Sequence, residues 1–249
     1  MSRELAGRVA IVTGAGRNIG RAIALALADA GAAVAVNGRT SRADVDAAVA
    51  EIESRGGKAL AVMADVSDEA AVQRMVASAV ERFGRLDVLV NNAAIRPEKP
   101  FESLSLSDWR AVHSVILDGA FLTVKAALPH LKASGSGAIV NIGGMSAHTG
   151  AKHRAHVVAA KLGLIGFTKG LAHDLAESGI TANCVVPGLV DTVRASGAKP
   201  PQHHQPNKTL SGRFTKPQEI AAAVRFLAGP GARSITGQAL HVNGGAYLG

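Results

Sequence analysis

The 249-residue chain has one cysteine, one tryptophan and one tyrosine, and aromatic residues make up only 3% of it. The single Cys184 excludes an intrachain disulfide, and its place in an apolar run suits packing. So few aromatic side chains leave no stacking platform for nucleic acid. The 27 lysines and arginines, against 19 acids, are scattered and not gathered on a recognition helix. The net charge of +8 is therefore read as a basic surface or a preference for anionic ligands, with no nucleic-acid partner. His203-His204 is adjacent and lacks ligand-type spacing, so no metal is expected. No apolar run is expected to reach membrane-spanning length and no apolar leader follows Met1. The expectation is a cytoplasmic protein with no membrane partner.

What the chain does have is a glycine-rich turn, Thr13-Gly14-Ala15-Gly16-Arg17-Asn18-Ile19-Gly20, between two dissimilar runs. The run 8–12 is β-branched and reads as a buried strand; 21–28 is Ala/Leu-rich and reads as a helix closed by Gly31. Glycine lets the backbone turn tightly and approach a pyrophosphate, and a helix N-terminus offers it free N–H groups. A turn without a ligand would look similar, but the next strand, 33–37, completes the context of a nucleotide site.

Strands and helices then alternate. Strands are expected near 59–64, 86–90, 138–142, 181–186 and 239–242, and helices near 42–55, 69–83, 107–131, 154–177 and 217–227. The polar segment 195–212, with Pro200, Pro201 and Pro206, reads as a mobile loop. Strands separated by helices are parallel. The fold class is α/β: a single-domain Rossmann-type doubly wound parallel sheet over 1–249, with a substrate loop at about 192–213. Ligands of such sheets bind at the strands' carboxyl ends, here the Gly14 turn, Asn37-Gly38-Arg39, Asp65, residues 91–94, 143–146 and 187–192.

These segments resemble the short-chain dehydrogenase/reductase family over nearly the whole chain. Thr13, Gly14 and Gly20 match its first turn, T-G-x-x-x-G-x-G, with Asn18 in place of the middle glycine; asparagine tolerates left-handed backbone. Asn91-Asn92-Ala93-Ala94 is similar to N-N-A-G. Gly212-Arg213-Phe214, Gly237-Gln238 and Asn243-Gly244-Gly245 match the C-terminal pattern. The resemblance implies cofactor contacts at Thr13, Gly14, Gly16, Arg17, Asn18, Ile19, Gly20, Arg39, Asp65, Val66, Asn92, Ala93 and Lys161. At the nicotinamide end it adds Pro187, Gly188, Val190 and Thr192. It also implies a homotetramer or homodimer built from the two long helices. No acid follows strand two, where a carboxylate would hold the ribose hydroxyls of NAD. Arg39 suits a 2′-phosphate instead, with help from Arg17 or Arg42, so NADP(H) is preferred over NAD(H).

The family's catalytic set is Asn, Ser and Tyr-x-x-x-Lys. The resemblance fixes Lys161 as the lysine, and places Val157 at the Tyr position, Gly144 at the Ser position and Ile116 at the Asn position. None of these three can donate a proton or hold a carbonyl oxygen. Tyr247 is the only tyrosine and lies near the C-terminus. His153, eight residues before Lys161, shares a helix face with 157 and 161 if the helix reaches that far; His148 follows Gly144. Either is a candidate substitute acid. His156 adjoins the vacancy but is rotated about 100° from it. Arg96, Lys99, Lys152, Arg154, Arg194 and Lys199 are candidates to line the mouth for an anionic small-molecule substrate. Two readings stand: an NADP(H)-dependent oxidoreductase acting on a carbonyl or alcohol with an altered acid, and a cofactor-binding protein without dehydrogenase activity.

Overall fold

The computed structural model describes residues 3–192 and 209–249. Seven strands form one parallel sheet in the order β3-β2-β1-β4-β5-β6-β7: β1 Val9–Val12, β2 Ala33–Gly38, β3 Lys58–Met63, β4 Val88–Asn91, β5 Ala138–Ile142, β6 Thr181–Pro187 and β7 Ala239–Val242. The inner strands β1, β4, β5 and β6 are buried throughout, which their β-branched content allows on a sheet covered on both faces.

One face carries α1 Asn18–Asp29 and α8 Pro217–Ala228, packed on each other through Ile23, Leu27, Ile220 and Val224, with α2 Arg42–Ser54 beside α1. The other carries α3 Glu69–Phe83, α5 Gly119–Ala133 and α7 Ala155–Asp174 around Val76, Val124, Leu131 and Leu171. Local signals set the ends. Asp68 accepts a hydrogen bond from the Ala71 N–H at the start of α3, and Gly84, in left-handed backbone, closes it.

The long helix expected over 107–131 is three segments. Helix α4, Leu106–His113, starts at a Ser105/Asp108 capping box; a π-helical turn, Ser114–Asp118, joins it to α5. The 28 residues from Leu106 to Ala133 are, counter to the sequence expectation, long and apolar enough to cross a membrane by length and composition alone. Their Val112, Ile116, Ala120, Val124, Ala127 and Leu131 are buried against the rest of the domain. The second long helix is shorter than the expected 154–177: Arg154 is not helical, and after Asp174 the chain turns through Ala176–Ser178 to a left-handed Gly179. A short α6, Ser146–Thr149, links β5 to α7. Most of the expected substrate loop, with Arg194, Lys199 and His203-His204, lies outside the described residues.

Candidate active site

The glycine-rich turn is tied to the end of β4. Thr13 Oγ1 accepts hydrogen bonds from the N–H groups of Asn92 (2.9 Å) and Ala93 (3.0 Å). Asn92 Nδ2 donates to the carbonyls of Thr13 (2.8 Å) and Gly14 (2.9 Å). Gly14 has φ +60°, and Asn18 takes φ 52°, the left-handed backbone its substitution for glycine requires. Gly20 has no room for a side chain: a Cβ there would stand 2.3 Å from the Gly14 carbonyl oxygen and 2.5 Å from Asn92 Nδ2. Arg17, the residue before the first turn of α1, makes no side-chain hydrogen bond to cap that helix N-terminus. Val66 is buried, in contact distance of Gly119.

Asn37 is a positioning residue that motif reading passed over. It is 2% exposed at the end of β2, its Oδ1 accepts from the Gly14 N–H (3.2 Å), and its carbonyl accepts from the Ala15 N–H (2.7 Å). Its Nδ2 donates to the carbonyls of Val62 and Ala64, locking the turn to β3. The available signal was a lone amide within an apolar strand.

Arg39 follows β2, half-exposed, its Nη1 3.5 Å from Asp65 Oδ2. Asp65 also accepts from the Ser67 N–H and hydroxyl. Partial burial works to raise its pKa, but the Ser67 bonds and Arg39 outweigh that and hold the carboxyl below its ordinary value. Arg42, exposed, pairs with Asp46 at 2.8 Å along α2. Arg17 is exposed at the turn.

At the other end of the crevice, the Pro187 carbonyl accepts from the Met145 N–H (2.8 Å), and Gly188 packs on Asn243 too closely for any Cβ. Val190 bridges to Thr215, and Thr192 is the last residue described before 209.

Val157 and Ile116 are each 2% exposed and join one apolar cluster with Val112, Ala120, Ala160 and Leu164. A Cβ at Gly144 would meet nothing within 4 Å. Lys161 is 5% exposed, and its Nζ donates to the Ile142 carbonyl at the end of β5. Burial first, and the Arg96 charge second, push the amine down to about 8.

The histidines fall elsewhere. His153 has left-handed backbone (φ 61°), is exposed and precedes α7, so it does not share a helical face with 157 and 161. His148, on α6, packs its ring on His241 (4.7 Å) and Tyr247 (5.1 Å). His156 is fully buried, neither ring nitrogen has a hydrogen-bond partner among the described residues, and burial lowers its pKa despite Asp108. The expected basic mouth is also thinned: Lys99 pairs with Asp108 (2.5 Å) and Arg154 with Glu98 (2.6 Å), while Arg96 and Lys152 are exposed. No cluster of three metal-ligating side chains occurs among the described residues.

A doubly wound parallel sheet with a glycine cradle at the end of β1 defines an α/β protein of the dinucleotide-binding type. Residues 14–247 match the family described as enoyl-(acyl carrier protein) reductase. The chain is 42% identical over 247 residues to a 3-oxoacyl-[acyl-carrier-protein] reductase of Synechocystis sp., covering 98% of each chain. A short-chain dehydrogenase from Burkholderia cenocepacia, solved in complex with NADP, superposes with a TM-score of 0.91 at 39% identity, over 98% of this chain and 99% of that one. A blue fluorescent protein from a metagenomic library, solved with NADPH, does so with a TM-score of 0.91 at 36% identity, over 98% and 100%. The chain belongs to the short-chain dehydrogenase/reductase family of NAD(P)-dependent oxidoreductases.

Proposed function

We propose that the protein is an NADP(H)-dependent oxidoreductase that acts on a carbonyl or alcohol with a proton donor other than a tyrosine. The observation that carries the reading is Arg39, held beside Asp65 where β2 ends and no acid stands between 37 and 42. The cradle of Gly14, Gly16, Asn18, Ile19 and Gly20 would hold the pyrophosphate, and Arg39 with Arg17 the 2′-phosphate. Lys161 would meet the nicotinamide ribose, and residues 187–192 the carboxamide. Bound there, the cofactor supplies a hydride. The relatives named as 3-oxoacyl carrier-protein reductases support a 3-oxoacyl thioester as the substrate class, and the exposed Arg96 and Lys152 are basic residues that would meet its anionic carrier. We place the protein in the cytoplasm as a homotetramer or homodimer through α5 and α7, where Phe121 and Leu162 are exposed.

One observation favours a second reading, a cofactor-binding protein without dehydrogenase activity. Val157 and Ile116 close into a dry wall where the family has a hydroxyl and an amide. Both readings share the cofactor, and its phosphate is the first thing to test. Arg39→Ala should weaken NADPH binding more than NADH binding in a fluorescence titration. Equal losses would show that Arg39 does not read the 2′-phosphate. NADPH consumption with 3-oxoacyl thioesters then separates the oxidoreductase from the binding protein.

A further inference from the structure

Several groups near the end of β5 can exchange protons, and the fold sets most of them aside. His153 is outside the helix and exposed, and His148 meets the His241 ring edge-on and stacks on Tyr247. His156 is enclosed with no polar partner among the described residues, and the buried Cys184 thiol is pushed up to about 11 by burial. Lys161 is different. It is a buried amine with one of its three possible N–H donors engaged, on the Ile142 carbonyl, and no ion pair among the described residues involves it. Neither Val157, one helical turn before it, nor Gly144, with open space where a Cβ would be, carries a hydroxyl that could stand in for it.

Resting on the oxidoreductase reading above, we infer that Lys161 is itself the acid–base group of this site. Its ammonium gives a proton to the carbonyl oxygen of a substrate that receives hydride at carbon, and its amine takes that proton back from the alcohol in the reverse direction. The step balances. The carbonyl π bond opens, a C–H bond forms with the hydride from the nicotinamide cofactor, and an O–H bond forms with the proton from Nζ. The cofactor loses two electrons, the substrate gains them, and a solvent proton recharges the amine. In the usual arrangement of the family the lysine holds the ribose and assists a tyrosine; here the assistant inherits the transfer. A cation buried without a counter-charge gives up its proton more readily than an exposed lysine. Of the titratable groups acting on it, Arg96, from the segment after β4, favours the neutral amine, while Cys184, on β6, favours the ammonium.

The test uses the intact protein with NADPH and acetoacetyl-CoA as the probe. The reduction rate should fall through a midpoint near pH 8, and oxidation of the corresponding alcohol should rise through the same midpoint. Lys161→Arg keeps a cation for the ribose but cannot release a proton near neutrality, so it should bind NADPH within a few-fold of wild type, lose ~10²–10⁴-fold in turnover and show no such midpoint. Nζ-detected 15N-lysine NMR of the cofactor-free protein should show one amine titrating near pH 8 that is missing from Lys161→Arg. Turnover retained in Lys161→Arg, or a wild-type amine titrating near its ordinary 10.5, overturns the role of Lys161 while leaving the oxidoreductase reading intact. Bound NADPH that is never consumed at any pH overturns that reading and this inference together. The wild-type rate profile and NMR titration decide the matter even if the arginine variant misfolds.

Discussion

Restoring the hydroxyls should raise ketone reduction, and the structure sets both sides of the balance. Val157→Tyr puts a phenol one turn before Lys161, and Gly144→Ser adds a hydroxyl where a Cβ meets nothing within 4 Å. A positioned general acid contributes ~10²–10⁴-fold, or ~3–5 kcal/mol of barrier. The cost falls on Val157, which is 2% exposed among Val112, Ile116, Ala120, Ala160 and Leu164. Forcing a ring into that cluster costs ~1–3 kcal/mol, and in a chain of this size each kcal/mol lowers Tm by ~2–4 °C. Gly144→Ser has space and should be nearly neutral for folding. Lys161 already supplies an acid, so the gain is the part an oriented phenol and a hydroxyl for the carbonyl oxygen add to it: the double variant should reduce acetoacetyl-CoA about 10-fold faster than wild type while melting a few degrees lower. Adding Ile116→Asn should raise the rate further, and Val157→Tyr alone should gain less, because an acid beside an unoriented carbonyl does little. NADPH consumption and calorimetry measure the two sides. A folded double variant no faster than wild type would refute the reasoning.

Two further outcomes are expected. Gly20→Ala should abolish NADPH binding in a titration while leaving a folded protein, because its Cβ would drive apart Gly14 and Asn92, which shape the cradle; unchanged affinity would show that the turn does not hold the pyrophosphate. His156, buried with a lowered pKa, should make the fold acid-sensitive. The unfolded imidazole binds a proton below about 6.5 and the folded one only at lower pH, so the unfolded state binds more protons there. Stability then falls as pH drops through that range, by up to ~1.4 kcal/mol per pH unit for this group, and is flat above it. His241, also lowered by burial, adds to the slope. In urea unfolding across pH, His156→Leu should remove the His156 share; an unchanged slope would show that His156 protonates freely in the folded state.

Short-range patterns carried the fold and much of the crevice. The β-branched runs, the Ala/Leu helices and the 13–20 turn are read within a few residues, because a helix start or a tight turn depends on its own backbone. That Ile116, Gly144 and Val157 carry no proton-donating side chain was equally legible, since it concerns which atoms a residue has and not where they point. Partner choice was not legible. His153 shares a face with Lys161 only if the helix reaches it, and a left-handed residue at 153 decides that it does not. Asp46, Asp108 and Glu98 claim Arg42, Lys99 and Arg154, and His148 turns to His241 and Tyr247, 93 and 99 residues farther along the chain. Asn37 earned its role only where β1, β2 and β3 meet. The amine of Lys161 owes its shifted titration to enclosure by β5, β6 and Arg96. Composition states which groups a chain possesses; burial and long-range packing decide which of them face water, each other or a ligand, and so which can move a proton.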